Sequence, residues 1–380
     1  MNILLNKIGF SHALVQISSA AVTYTLKLSS CLVIDIGASK VSITCVEEGV
    51  AILHTAVMLP VGFYDVLLLL KSFFQPILKH PDRIETNTEL TCLFNLLNTL
   101  NTAFFEKNPL DSPDRSNDTL CLDNYEWDDG SLRFEDIRVS RTTLQKINTL
   151  PFTFTRMLNP CFSPCSVLNS EPDDPFDDLY MHLTNPGKKV KKQVKVDDEN
   201  VDTQQEVKKE EPIQVQKNES DKIEHPEYFE SLAEAVWWCL DECGKMTTKH
   251  LKSQNSDSIN RVVEQDLFAI ITGEECRRRL LKNVVLVGGG SAHKGIRWLE
   301  SWLARELKKL AGNATSVDWI SGGPSIEVRC YPQQESAENF AWLGGTLMAH
   351  TSCISEASIT ASDWNKNGSR TLRERALFRW

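Results

Sequence analysis

Two short stretches of this chain join a strand-like run to glycine, the arrangement in which backbone N–H groups can close on a phosphate. The first is Asp35-Ile36-Gly37-Ala38-Ser39-Lys40, after the apolar run that starts at Cys31; the second is Gly288-Gly289-Gly290-Ser291, after Asn283–Val287. Glycine allows close approach to an anion, and a helix that follows such a turn adds its positive end. Each stretch taken alone also fits a plain tight turn that needs positive φ. A third glycine stretch stands at Trp342-Leu343-Gly344-Gly345 and reads as a turn near the carboxyl end. A dinucleotide fingerprint would need a third glycine three positions after Gly290, where His293 stands. No G-K-[ST] occurs, which excludes a Walker loop.

The remaining reactive residue types read as structural. His54 and His293 have no partner nearby in sequence. Two C-x-x-x-C pairs, Cys161/Cys165 and Cys239/Cys243, lack the further His or Cys spacing of a tetrahedral zinc site. Eleven cysteines, mostly in apolar runs, point to a reducing compartment and to free thiols that behave as small core residues.

The elements that must carry the two turns follow from hydrophobic period. Ala13–Ile17 reads as a buried strand, Ser18–Leu26 as a short small-residue helix and Cys31–Asp35 as a second buried strand. From Val41 to Leu59 the residues alternate about a Glu47-Glu48-Gly49 turn, which predicts a hairpin. DVLLLLKSFFQPIL continues as a helix that Pro76 bends or ends. Phe229, Leu232, Val236, Cys239, Leu240 and Cys243 fall on one helical stripe, and so do Ile296, Leu299, Leu303, Leu307 and Leu310. The pairs Trp237/Trp238 and Trp298/Trp302 could anchor a partner, but beside such stripes core or core edge is the commoner use. A strand SIEVRCY comes next. Strand, hairpin and helix, then strand, glycine turn and helix, indicate an α/β fold.

Composition bounds the function. With 380 residues, 41% hydrophobic, the chain can bury one or two cores. A formal charge of −10 argues against a whole-surface embrace of nucleic acid and leaves only a local patch. No run nears the roughly 20 apolar residues of a membrane span, and polar residues interrupt the first thirty positions, so neither membrane nor signal peptide is expected. Asp111–Gly130 holds seven acidic residues against one Arg and reads as an exposed acidic loop. From about Ser166 to His225 the composition is too polar to offset ordering entropy and predicts a disordered insertion. Its cluster Lys188, Lys189, Lys191, Lys192 and Lys195 could touch phosphate, direct the chain to the nucleus, or be a solvated tract.

An acidic D-x-G turn opening a hairpin, a G-G-G turn before a helix and a W-x-G-G stretch near the end together resemble the actin family. CLVIDIGASKVSITCVEEGVAILHTAVMLPVGFYDV is similar to that family's second phosphate loop and hairpin, with the wording of its chromatin-remodelling members rather than of conventional actin. PDDPFDDLYM resembles a piece of the family's insertion. VVLVGGGSAHKGIRWLESWL, NFAWLGG and SDWNKNGSRTLRERALFRW resemble its carboxyl-terminal third. The resemblance implies an actin-like α/β fold divided as 1–110 (a lobe with the second phosphate loop and hairpin), 111–130 (acidic loop), 131–165 (actin-like segment), 166–227 (charged insertion) and 228–380 (carboxyl-terminal region). It also implies that the first phosphate loop and half of one lobe precede the matched segment, an incomplete amino-terminal part.

By the same resemblance Asp35 would face the hydration shell of Mg²⁺, Gly37, Ser39 and Lys40 would approach the terminal phosphates of ATP, and Gly288, Gly289, Gly290 and Ser291 would pass beneath the nucleoside. Three positions depart from the family pattern. Ala38 stands for a metal-side Asp, Ser42 for a water-orienting His, and Glu338 for a Lys near the base. Without the first two groups hydrolysis is not expected. The implied role is a non-catalytic nuclear scaffold of an Ino-eighty-type remodelling complex, beside its ATPase subunit, actin and other actin-related proteins. Through the complex it would support nucleosome (histone and DNA) binding, transcription regulation and DNA repair. Two rivals are an actin-fold ATPase or sugar kinase, which should carry a carboxylate after Gly37, and a cytoskeletal actin-related adaptor.

Overall fold

The alternating residues between Cys31 and Leu59 fold as the meander their period predicts. In the computed structural model the described residues are 1–74, 87–107, 119–122, 125–126, 133–134, 137–153, 157–158, 228–254, 262–313, 325–331, 337–351, 357–368, 370–371, 375 and 378–379. Helix α1 (Ser18–Leu26) stops at Lys27, which takes a left-handed φ of 55°. Strands β1 (Cys31–Ile36), β2 (Val41–Glu47) and β3 (Val50–Leu59) follow as antiparallel neighbours. Between β2 and β3 only Glu48 and Gly49 intervene, both with positive φ (52° and 77°), the twist that suits a two-residue hairpin.

Helices α2 (Phe63–Phe74) and α3 (Asn87–Lys107) come next, then β4 (Thr119–Leu122), β5 (Ile137–Ser140) and α4 (Arg141–Thr153). Beyond them lie α5 (Leu232–Gln254), α6 (Val262–Leu281), β6 (Val284–Val287) and α7 (Ile296–Asn313). The last elements are β7 (Val328–Cys330), α8 (Phe340–Ala349), α9 (Ala361–Asn367) and β8 (Phe378–Arg379). Six strands form one mixed sheet in the order β7-β6-β1-β2-β3-β8. β6 runs parallel to both β1 and β7, and α7 makes the crossover that a parallel pair requires.

Both faces of this sheet are covered, which is why β1 and β6 read as unbroken apolar runs. Leu32, Ile34, Ile36, Val284 and Leu286 enter the larger core, with the stripes of α2, α3, α5 and α7. Cys31, Val33, Val285 and Val287 turn to the opposite face, where α1 and the start of α8 cover them. Period-two geometry puts Asp35 on this second face. Every residue of the stripe from Phe229 to Cys243 is buried. Trp298 is buried against Phe104 and Phe105, while Trp237, Trp238 and Trp302 pack on the core edge.

Several expectations are corrected. Of the expected strand Ala13–Ile17 only Ala13 pairs, with His12 before it, against Ile359–Thr360; Val15 is exposed, since no described strand runs beside the segment beyond Ala13. Trp342, Gly344 and Gly345 lie inside α8 rather than in a turn. The smallness of Gly344 serves helix packing: a Cβ on it would sit 1.7 Å from the Ala21 carbonyl oxygen of α1. Within the segment read as an acidic loop, β4 pairs with β5 and Tyr125–Glu126 pairs with Arg133–Phe134. Cross-strand bonds along TLCL and IRVS outweigh the acidic composition there. The charged insertion with its lysine cluster, Pro76, Cys161/Cys165 and PDDPFDDLYM lie outside the described residues. On either side of the insertion, Met157–Leu158 pairs antiparallel with Tyr228–Phe229. Among the described residues no helix is long and apolar enough to cross a membrane.

Candidate functional site

The parallel register of β1 and β6 sets Asp35 beside Val287, so both glycine turns leave the sheet at one level. Carboxyl ends of adjacent parallel strands are where open α/β sheets form ligand crevices. Gly288 has φ 90°, and a Cβ there would stand 2.2 Å from Asp35 Oδ1 and 2.6 Å from the Ile36 carbonyl oxygen. On Gly290 a Cβ would meet Ile36 Cγ2 at 2.6 Å and Phe63 Cβ at 3.0 Å. The two turns, 250 positions apart in the chain, therefore touch.

In the first turn the Gly37 N–H donates to the Lys40 carbonyl at 2.9 Å, which closes the loop, and Ala38, Ser39 and Lys40 are exposed. Gly37 does not adopt positive φ, so the plain-turn requirement applies only to the second stretch. Asp35 is half-buried; burial pushes its carboxyl above the usual range and the Lys40 charge pulls it back. Ser42 pairs directly with Asp35 across β1 and β2, so the two side chains share a face.

In the second turn Gly289 is exposed while Gly290 and Ser291 are buried. The Ser291 hydroxyl donates to the Gly288 carbonyl at 2.8 Å and is spent inside the turn, so this residue lies beneath the crevice rather than at its mouth. The helix expected over the Ile296–Leu310 stripe forms a few residues beyond the turn. Residues Gly289–Ser291 make a 3-10 turn and α7 begins only at Ile296. The lead-in to α8 borders this turn: Gly288 N–H donates to the Ala337 carbonyl at 3.3 Å, and a Cβ on Gly289 would have Glu338 Oε2 3.9 Å away.

Sequence reasoning missed the segment that joins the turns. Phe63 and Tyr64 N–H groups donate to the Gly37 and Ala38 carbonyls at 3.0 and 2.8 Å, and Asp65 Oδ2 accepts from the Gly62 N–H at 2.7 Å. A glycine followed three residues later by Asp at a helix start was the readable sign. His293 is buried with its ring 4.8 Å from Phe63, and its Nδ1 has no partner among the described residues. Burial lowers its pKa to about 3, so the imidazole is neutral. Cys45, Cys239, Cys243 and Cys276 are buried in the larger core, with Cys243 and Cys276 sulfurs 3.9 Å apart.

Chemically the arrangement presents backbone donors at two adjoining turns, one half-buried carboxylate between them and one exposed lysine. That set can hold a polyphosphate and the hydration shell of a cation.

A family model described as actin matches residues 234–377. Over 395 residues the chain is 25% identical to actin-related protein 8 of Danio rerio, covering all of this chain and 60% of the relative. It is 24% identical to that of Bos taurus over 397 residues (100% and 60%) and 23% identical to that of Drosophila pseudoobscura pseudoobscura over 415 (100% and 61%). Among solved structures, the human actin-related protein Arp8 in its ATP-bound state aligns with a TM-score of 0.56 at 19% identity, covering 100% of this chain and 57% of that one. The fold is the actin fold, and the chain spans about 60% of the length of these relatives.

Proposed function

We propose that this chain is a divergent actin-related protein, on its actin fold and its similarity along the whole of its own length to actin-related protein 8, and that it is a non-catalytic scaffold that holds ATP without hydrolysing it, in a nuclear Ino-eighty-type chromatin-remodelling complex. The observation that carries the ATP reading is the direct apposition of the two turns, Gly288 against Asp35 and Gly290 against Ile36. It is supported by the solved relative, which was captured with ATP. Backbone N–H groups of Ala38 and Ser39 would meet the terminal phosphates, Gly288–Gly290 would run beneath the nucleoside, and Asp35 would accept from the water shell of Mg²⁺. When bound, the metal would neutralise phosphate charge.

Ala38 and Ser42 support the non-catalytic part. Phosphoryl transfer depends on charge neutralisation and on a group that orients the attacking water. Beside Asp35 this chain offers a methyl at 38 and a hydroxyl at 42. The partners in this reading are the remodelling ATPase subunit, actin and other actin-related proteins, with the nucleosome reached through the complex.

Two measurements test the proposal. Purified chain is titrated with a fluorescent ATP analogue while phosphate release is followed. Saturable binding with no release is expected, absent binding removes ATP from the reading, and actin-like release overturns the non-catalytic part. Affinity purification from nuclear extract, with and without nuclease, followed by mass spectrometry, should recover a Swi/Snf-type helicase with actin. Recovery of filament-capping proteins instead would move the assignment to a cytoskeletal adaptor.

A further inference from the structure

We infer that Asp65 is a positioning residue for the nucleotide site: with Gly62 and Phe63 it forms a clamp that fixes both glycine turns. The inference rests on the ATP reading above. Asp65 is 2% exposed, and its Oδ2 accepts the Gly62 N–H at 2.7 Å, which sets where α2 begins. Gly62 in turn is seated on the first turn, since a Cβ there would lie 2.3 Å from the Ala38 carbonyl oxygen and 2.7 Å from the Lys40 nitrogen.

From that seat, the Phe63 and Tyr64 N–H groups draw the Gly37 and Ala38 carbonyls toward the helix. In a trans peptide the carbonyl and the next N–H point opposite ways, and no cis peptide is present. Holding these two carbonyls inward therefore turns the N–H groups of Ala38 and Ser39 outward, as donors for an anion. The same segment reaches the second turn, with Phe63 Cβ against Gly290 and its ring against His293. Within Gly62–Asp65, Phe63 and Tyr64 bond to the first turn, Phe63 also packs on the second, and Asp65 is the side chain that anchors the segment.

The test compares Asp65→Ala with Asp65→Asn in the full chain, by hydrogen–deuterium exchange without ligand and by titration with a fluorescent ATP analogue. A lost cap corresponds to roughly tenfold in a local equilibrium. Asp65→Ala should therefore speed exchange of the hydrogen-bonded amides of Gly37, Phe63, Tyr64, Gly288 and Ser291 about tenfold, with β1 and β6 unchanged, and weaken the analogue by about the same factor. Asp65→Asn keeps an oxygen that accepts from Gly62 and should stay near wild type. Should the Ala variant not fold, Asp65→Glu, which shifts the carboxylate by one methylene, repeats the test with the same expected pattern. Unchanged exchange in the turns, acceleration spread over the whole body, or an Asn variant as impaired as the Ala variant would overturn the clamp. A wild-type chain that does not bind the analogue overturns the ATP reading, and the exchange pattern still decides the clamp.

Discussion

Gly344 and Gly345 are neighbours in α8 that should respond to alanine with opposite signs. A Cβ on Gly344 would stand 1.7 Å from the Ala21 carbonyl oxygen and 2.5 Å from its carbon, while nothing lies within 4 Å of a Cβ on Gly345. Ordinary carbon–oxygen contact begins near 3.3 Å, so Gly344→Ala must push α8 from α1 by about 1.5 Å. The obstructing atom is helix backbone and cannot rotate aside. Thr25 Oγ1, which donates to the Phe340 carbonyl at 2.6 Å, would lose its partner as α8 moves. Overpacking costs about 1–3 kcal/mol and the lost bond about 1, offset by about 1 kcal/mol of helix propensity. A net loss of about 2 kcal/mol is expected for Gly344→Ala. Gly345→Ala keeps only the propensity gain, about 1 kcal/mol. With an m-value of about 3 kcal/mol/M, urea midpoints of the two variants should differ by about 1 M. Equal shifts of one sign would refute the close approach of α1 and α8.

Gly288→Ala forces a left-handed φ costing about 1–3 kcal/mol and a carbon onto Asp35, so it should cost ATP-analogue affinity at least about tenfold in the same titration. Cys239, Cys243 and Cys276 are buried and their thiols are raised, Cys276 by its hydrogen bond with Cys243 and then by burial, Cys239 by burial, so native protein near neutral pH should leave them unalkylated by a maleimide and urea should expose them, read by peptide mass spectrometry. His293 has a folded pKa of about 3 against 6.5 when unfolded. Between these values the unfolded chain binds the extra proton, so stability falls as pH drops below about 6.5, by up to about 1.4 kcal/mol per pH unit. Urea midpoints measured from pH 7 to pH 4 should fall less steeply for His293→Phe, by about one proton, and an unchanged slope would refute this account.

The strands that carry the site were legible because burial on both faces leaves a plain mark, an unbroken apolar run at Cys31–Ile34 and Val284–Val287. The hairpin was legible because its period of two ends at a turn that tolerates positive φ. Other features depend on what arrives from elsewhere in the chain. The glycine pair at Gly344 looked like a turn until α1 supplied the neighbour that requires it, and the hydroxyl of Ser291, in the stretch expected beneath the nucleoside, is bonded to Gly288 within the turn. Composition misled at Thr119–Leu122, where pairing with Ile137–Ser140 decides the conformation. The contact between the two glycine turns is a fact of strand register and has no local sign.

The short pairing of Met157–Leu158 with Tyr228–Phe229 brings together the two points at which the chain leaves and re-enters the described body around positions 159–227. A segment whose two ends already meet can change length at small expense, since doubling a loop adds only about 0.6 kcal/mol of closure entropy. By closure entropy alone, a change in the length of this segment therefore costs little. The same neck offers the experimenter a place to graft a tag or a second domain while β1 and β6 keep their register.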